Sequence, residues 1–285
     1  MKARIRSLYN KIIIERYPTI FRPTSNPFIS GDTFRNYADH IFDETTSFKS
    51  KEVKKNDVVF INADLIEIYF RIQHPTIEND YILISHNSDR NIDEKLIELA
   101  DDKIIHWFVQ NLVADSNNKV SLIPIGLENK RWLKHGRKKW FNIKEEKNEF
   151  ILSAFNTLNN YKERNPVNHL AEKAGLVKIK RFDKISVYFN ELAKYKFVLC
   201  PSGNGVDTHR IWECVIHKSI PILVNNSFSV NLKKLGLPAL FLDSWDELIH
   251  LSEKDLNRIY GQLVNEESNF IYIDYWIKII EEKKL

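Results

Sequence analysis

The sequence lacks the marks of several large protein classes. Its two cysteines, Cys200 and Cys214, sit in apolar surroundings with no Cys-x-x-Cys or mixed Cys/His spacing. That excludes a disulfide-built scaffold and a zinc-finger frame, and predicts reduced core thiols in a reducing compartment. No apolar run approaches the roughly 20 residues of a membrane span. The three-residue run at 12–14, flanked by Lys11 and Glu15, is too short for a signal-peptide core, so a cytoplasmic location is expected. Basic residues number 42 against 38 acidic ones, and they are dispersed, so a nucleic-acid footprint is missing. There is no Asp-x-Asp element, no His-Glu-x-x-His, and no other spacing of metal ligands, and the site residues therefore include no metal set. Glycine is sparse, at eight residues in 285, so two in one short loop stand out.

What is present reads as an ordinary globular α/β chain, 43% hydrophobic and 28% charged, long enough for two domains. Short apolar runs at 58–61, 81–84, 104–108 and 120–125 read as buried strands, with a helix over 93–100 that puts Leu96, Leu99 and Ala100 on one face. A charged stretch at 134–149 reads as an exposed linker. Beyond it the rhythm restarts: strand 150–155, helix from about 163 to Gly175, strand 177–179, helix 185–194, strand 197–200, helix 208–217 and strand 220–224. Ser244 opens a capping box with Glu247, Ser252 caps the next helix, and 269–282 reads as a last, aromatic-rich helix. Two Rossmann-like lobes are predicted, one over 1–140 and one over 141–265, with a C-terminal helix over 266–285 crossing back to the first. Ligands of such sheets bind beyond the carboxyl ends of the strands. At the N-terminus Ile5, Leu8, Tyr9, Ile12, Ile13 and Tyr17 recur at helical spacing, either as a helix packed on its own lobe or as a peripheral membrane contact.

Residues 200–213 lead from an apolar strand through Gly203 and Gly205 into a helix N-terminus, a geometry suited to phosphate. Asp207 or Thr208 is placed to cap the helix. Arg210 and His209 fall in its first turn, where positive charge opposes the helix dipole and a bound diphosphate would reverse that effect. Glu213 shares their face, so Arg210 and Glu213 form either a phosphate clamp with a ribose acceptor or a plain surface ion pair.

Residues 197–223 resemble the donor-binding signature of the exostosin-like glycosyltransferases, matching through Gly203, Asn204, Gly205, Asp207, Thr208, His209, Arg210, Trp212, Glu213 and Ile220-Pro221. Residues 84–89, 107–111 and 123–129 resemble the N-terminal half of bacterial and viral members. The resemblance implies a GT-B fold, two lobes facing a central cleft, and a nucleotide-sugar donor, UDP-sugar favoured, held by residues 203–213. It implies that the lobe over 1–140 meets an acceptor and the lobe over 141–265 holds the donor. It also implies inverting transfer of one sugar to a glycan or glycolipid acceptor, as in surface-polysaccharide biosynthesis; the missing Asp-x-Asp element predicts a site that needs no metal, and no cofactor is expected. Lys218-Ser219 departs from the small pair usual before Ile-Pro. An acceptor hydroxyl needs a general base; Asp89 and His86, in the loop after the 81–84 strand, are the candidates. Asn62, Asp64, Asn129 and Arg131 are candidates for holding the acceptor. Trp107, Trp132 and Trp140 serve either as sugar-stacking platforms or as core. A sugar-nucleotide epimerase and a non-catalytic sugar-nucleotide or glycan-binding module would use the same donor loop, the first without an acceptor and the second without a base.

Overall fold

The computed structural model describes residues 21–132 and 138–284. Two five-stranded sheets, both wholly parallel, organise them. The first holds β1 (His40–Phe42), β2 (Val58–Asn62), β3 (Tyr81–His86), β4 (Ile104–Val109) and β5 (Val120–Leu122), side by side in chain order. Its central strands are near-continuous apolar runs because both faces are covered: every residue of β3 is buried. Helix α1 (Gly31–Tyr37) starts at Ser30, whose hydroxyl accepts from the Thr33 amide. Neither α1 nor β1 is expected from the apolar pattern. The helix predicted over 93–100 shortens to α2 (Glu94–Ile97), and Leu99 is left exposed rather than on a packed face.

The second sheet runs β10-β9-β8-β6-β7. Its strands are β6 (Glu149–Ser153), β7 (Val177–Ile179), β8 (Tyr195–Leu199), β9 (Ile220–Val224) and β10 (Leu240–Leu242). Between them lie α3 (Tyr161–Lys173), α4 (Ile185–Leu192), α5 (His209–Ile216) and α6 (Ser227–Leu235). The chain lays down β6, moves outward to β7, then returns to the other side of β6 for β8. The strand order therefore reverses between β6 and β8, and the loops leaving these neighbours diverge to open a crevice. Two expected start signals are present, since Ser244 and Glu247 form a capping box and Ser252 caps α7 (Glu253–Leu263).

The expected exposed linker is partly buried. Phe141 is 9% exposed and meets Phe189 edge-on at 5.1 Å, while the Lys147 ammonium is buried and donates to the Ala193 and Tyr195 carbonyls and the Ser219 hydroxyl. A charged composition concealed this because lysine buries its stem readily and its head group here meets three acceptors. The last helix, α8 (Ile273–Lys283), does cross back to the first lobe: Trp276 packs edge-on against Phe34 and Phe108. Residues 27–29 and 271–273 exchange backbone hydrogen bonds alongside it. No described helix is long and apolar enough to cross a membrane, and the proposed N-terminal helix lies outside the described residues.

Candidate functional site

A cleft of about 830 Å³ opens where the second sheet's strand order reverses. The loop after β6 forms one wall, through Ala154, Phe155 and Asn156; the loop after β8 forms another, through Gly203, Asn204, Gly205 and Thr208. The first lobe closes the cleft with Asp89, Ile125 and Glu128.

Helix α5 points its first turn into this space. Thr208 is its N-cap residue, yet its hydroxyl makes no capping bond and lies buried with no partner. Arg210 holds the Ala154 carbonyl through Nη2 at 3.0 Å, while its Nε is buried and unpartnered. Glu213 is 7% exposed, lines the cleft and accepts the Tyr188 hydroxyl at 2.8 Å, so it is bound to a tyrosine rather than paired with Arg210 along the helix surface. The apolar flank of α5, with Ile211 and Val215, faces inward as its spacing predicts.

Asp207 does something else. Its carboxylate accepts from the Ile125 amide at 2.7 Å and the Trp212 indole at 2.8 Å, so it ties the glycine loop to the first lobe and caps nothing. Burial pushes its pKa up to about 7, against two N–H donors that favour the anion. Asn111 completes the seam by accepting from the Asp207 amide at 2.9 Å and donating to the Ser88 carbonyl at 2.9 Å. Gly205 is packed into the same seam: a Cβ there would lie 3.0 Å from Asn111 Nδ2 and 3.1 Å from the Asp89 carbonyl. Neither Gly203 nor Gly205 has positive φ, so close approach, not a left-handed turn, accounts for Gly205. Gly205→Ala is expected to wedge the lobes and cost about 1 to 2 kcal/mol, as overpacking does, read as a lower urea midpoint at unchanged m-value.

Sequence reasoning missed Arg164 on α3. It is 4% exposed, and its guanidinium gathers the Ser202, Asn156 and Pro201 carbonyls at 2.7, 2.9 and 3.3 Å. It shapes the glycine loop from beneath by holding the carbonyls to one side. Its contacts are to backbone in segments far along the chain, which no local motif announces.

The two expected bases part company. Asp89 is exposed on the cleft wall and makes no hydrogen bond or ion pair to a described residue. His86 is buried, 1% exposed; its Nε2 bonds the Pro124 carbonyl at 3.0 Å and its Nδ1 accepts from the Asn87 amide at 2.7 Å. Burial lowers its pKa to about 4, and both ring nitrogens are occupied, so it has no vacancy for an acceptor's proton. None of the four acceptor candidates lines the cleft. Asn129 and Arg131 are buried against α1: Asn129 accepts the Asp32 amide at 2.7 Å, and Arg131 stands 3.5 Å from the Asp32 carboxylate. Asn62 donates to Glu44, and Asp64 accepts from Ser88, both at the carboxyl end of β2. Trp107 is core, Trp140 stacks on Phe189 at 6.3 Å, and Trp132 is 46% exposed. Among the described residues, no cluster of three or more His, Cys, Asp or Glu side chains is placed to hold a metal ion.

No family model matches the chain, and no curated protein matches it. Among solved structures it is similar to an E. coli structure described as trehalose-6-phosphate bound with UDP-2-fluoro glucose, at 10% identity and a TM-score of 0.49, covering 81% of this chain and 74% of that one. A trehalose-phosphate synthase (UDP-forming) from Burkholderia vietnamiensis is 6% identical over 81% of this chain and 75% of its own, with a TM-score of 0.46. The spinosyn rhamnosyltransferase SpnG is 8% identical over 79% and 72%, with a TM-score of 0.44. Likeness of this degree assigns no activity.

Proposed function

We propose that the protein is a GT-B glycosyltransferase that moves one sugar from a nucleotide-sugar, a UDP-sugar in first place, to a glycan or glycolipid acceptor, with inversion and without a metal. The observation that carries this reading is the first turn of α5. There Thr208 and Arg210 line one cleft, each with a buried polar atom that has no partner, and the helix start carries no side-chain cap, at the point where an open parallel sheet reverses its strand order. Buried donors without acceptors are costly, and a diphosphate supplies the acceptors they lack. Arg210 and the α5 amides then stabilise the departing diphosphate, the role a metal plays elsewhere. Glu213, with one oxygen on Tyr188, offers the other to a ribose hydroxyl. The resemblance of residues 197–223 to exostosin-like enzymes supports the same assignment.

A thermal-shift screen against UDP-, GDP- and CMP-sugars tests it. A ligand of the folded state at 100 times its Kd adds about 2.7 kcal/mol of stability by mass action. The melting temperature is expected to rise with the UDP compounds, and no shift with any of the three classes would remove the reading.

A further inference from the structure

A histidine of the donor-site reading and a carboxylate that this reading leaves unused meet across the cleft. His209, from the first turn of α5, donates through Nδ1 to the Gly126 carbonyl of the first lobe at 2.8 Å, which leaves Nε2 as its free corner. That corner faces Glu128 Oε2 at 3.6 Å. The other Glu128 oxygen accepts its neighbour's amide, from Asn129, at 3.0 Å. Both side chains line the cleft and are under one-third exposed, at 29% for His209 and 28% for Glu128. Burial works against a charged His209, but Glu128 and the Gly126 carbonyl together hold its pKa above the ordinary value. Asp207 and Glu213, the other acids that act on it, reinforce the same direction.

The site in which an anion is expected thus already contains one, supplied by the opposite lobe. Resting on the donor-site reading, we infer that Glu128 is an internal stand-in for the donor's diphosphate, which displaces it from His209 and so releases a carboxylate on the acceptor wall. His209 cannot follow Glu128, because its Nδ1 stays on the Gly126 carbonyl. The freed Oε2 then faces the acceptor and takes its hydroxyl proton. As that O–H bond breaks, the acceptor oxygen bonds to the anomeric carbon, the carbon–phosphate oxygen bond breaks, and its electron pair leaves with the nucleoside diphosphate. Glu128 later returns the proton to solvent. Donor therefore binds before Glu128 is free to act as the base.

The test is calorimetric titration of the full chain with UDP, and separately with inorganic pyrophosphate, at pH 6.5 in wild type, Glu128→Gln and His209→Gln, with melting curves to confirm folding. Glu128→Gln is expected to bind both probes about five-fold tighter, the size of one lost competing ion pair. His209→Gln is expected to bind both more weakly. In single-turnover cleavage of whichever nucleotide-sugar stabilises the wild type, Glu128→Gln is expected to be at least about 100-fold slower, the range of general-base catalysis. Equal or weaker probe binding by Glu128→Gln would mean that Glu128 only props His209, and the inference falls. If Glu128→Gln fails to fold, Glu128→Ala under the same titration gives the same sign test. Wild type that binds neither probe would instead sink the donor-site reading itself.

Discussion

Replacing Arg210 by alanine is expected to weaken binding of a nucleoside diphosphate by about 1.5 to 3 kcal/mol, the worth of a hydrogen bond to a charged group. The guanidinium is held in place by the Ala154 carbonyl, at the head of one of the two diverging loops, so little side-chain entropy is lost when phosphate arrives. Arg210→Lys is expected to recover only part of the loss, because an ammonium cannot keep the carbonyl and meet a phosphate with a planar fork. Calorimetric titration of UDP into the two variants reads both numbers, and unaltered affinity in Arg210→Ala would remove the clamp from the mechanism.

A larger effect, on stability, is expected at Asp207. Its replacement by alanine strands the Ile125 amide and the Trp212 indole N–H in a buried seam, at roughly 1 to 3 kcal/mol for each unpaired donor, or about 2 to 6 kcal/mol in all. Urea unfolding followed by tryptophan fluorescence measures it. The cost has a pH dependence of definite sign. The folded pKa of Asp207, about 7, lies above the unfolded value near 4. Between those values the folded chain keeps a proton that the unfolded chain has lost, so the group's contribution is full below about pH 4 and declines as pH rises towards 7. The difference in stability between wild type and Asp207→Ala should therefore shrink from acid to neutral pH. A difference that grew over that window would mean that the carboxylate, and not the acid, is the favoured buried form.

The elements legible in the sequence are those whose physics is local. Strands β2, β3, β4, β8 and β9 announce themselves because a parallel strand covered on both faces is apolar at nearly every position. The capped turns at Ser244 and Ser252 announce themselves because a cap is a contact between residues two to three apart. Strand β1 has only three residues, all half-buried, and carries no pattern to read. Helix α6 did have a signal, the Asn226–Ser229 capping box, hidden by an Asn-Asn-Ser run that reads as loop. The site divides in the same way. The loop from Gly203 to Glu213 is one continuous segment, and its spacing alone places Arg210 and Glu213 on a shared face. Arg164, Asn111 and Glu128 enter the site from elsewhere in the chain, through contacts to backbone or across the cleft, which leave no trace in spacing. His86 had the right chemistry and the right strand end, and only its burial, a property of everything packed around it, disqualifies it.

The seam also bears on how such a protein can change over time or under an engineer's hand. Asp207, Gly205 and His209 belong to the glycine loop and the start of α5, yet each touches Asn111, Ile125 or Gly126 of the other lobe. A chimera that joins this second lobe to a foreign first lobe would inherit a loop whose shape was moulded by a partner no longer there. Transplanting residues 109–129 along with the second lobe keeps those contacts together. The portable unit for recombining this fold is therefore not the lobe but the lobe with this strip of its neighbour attached.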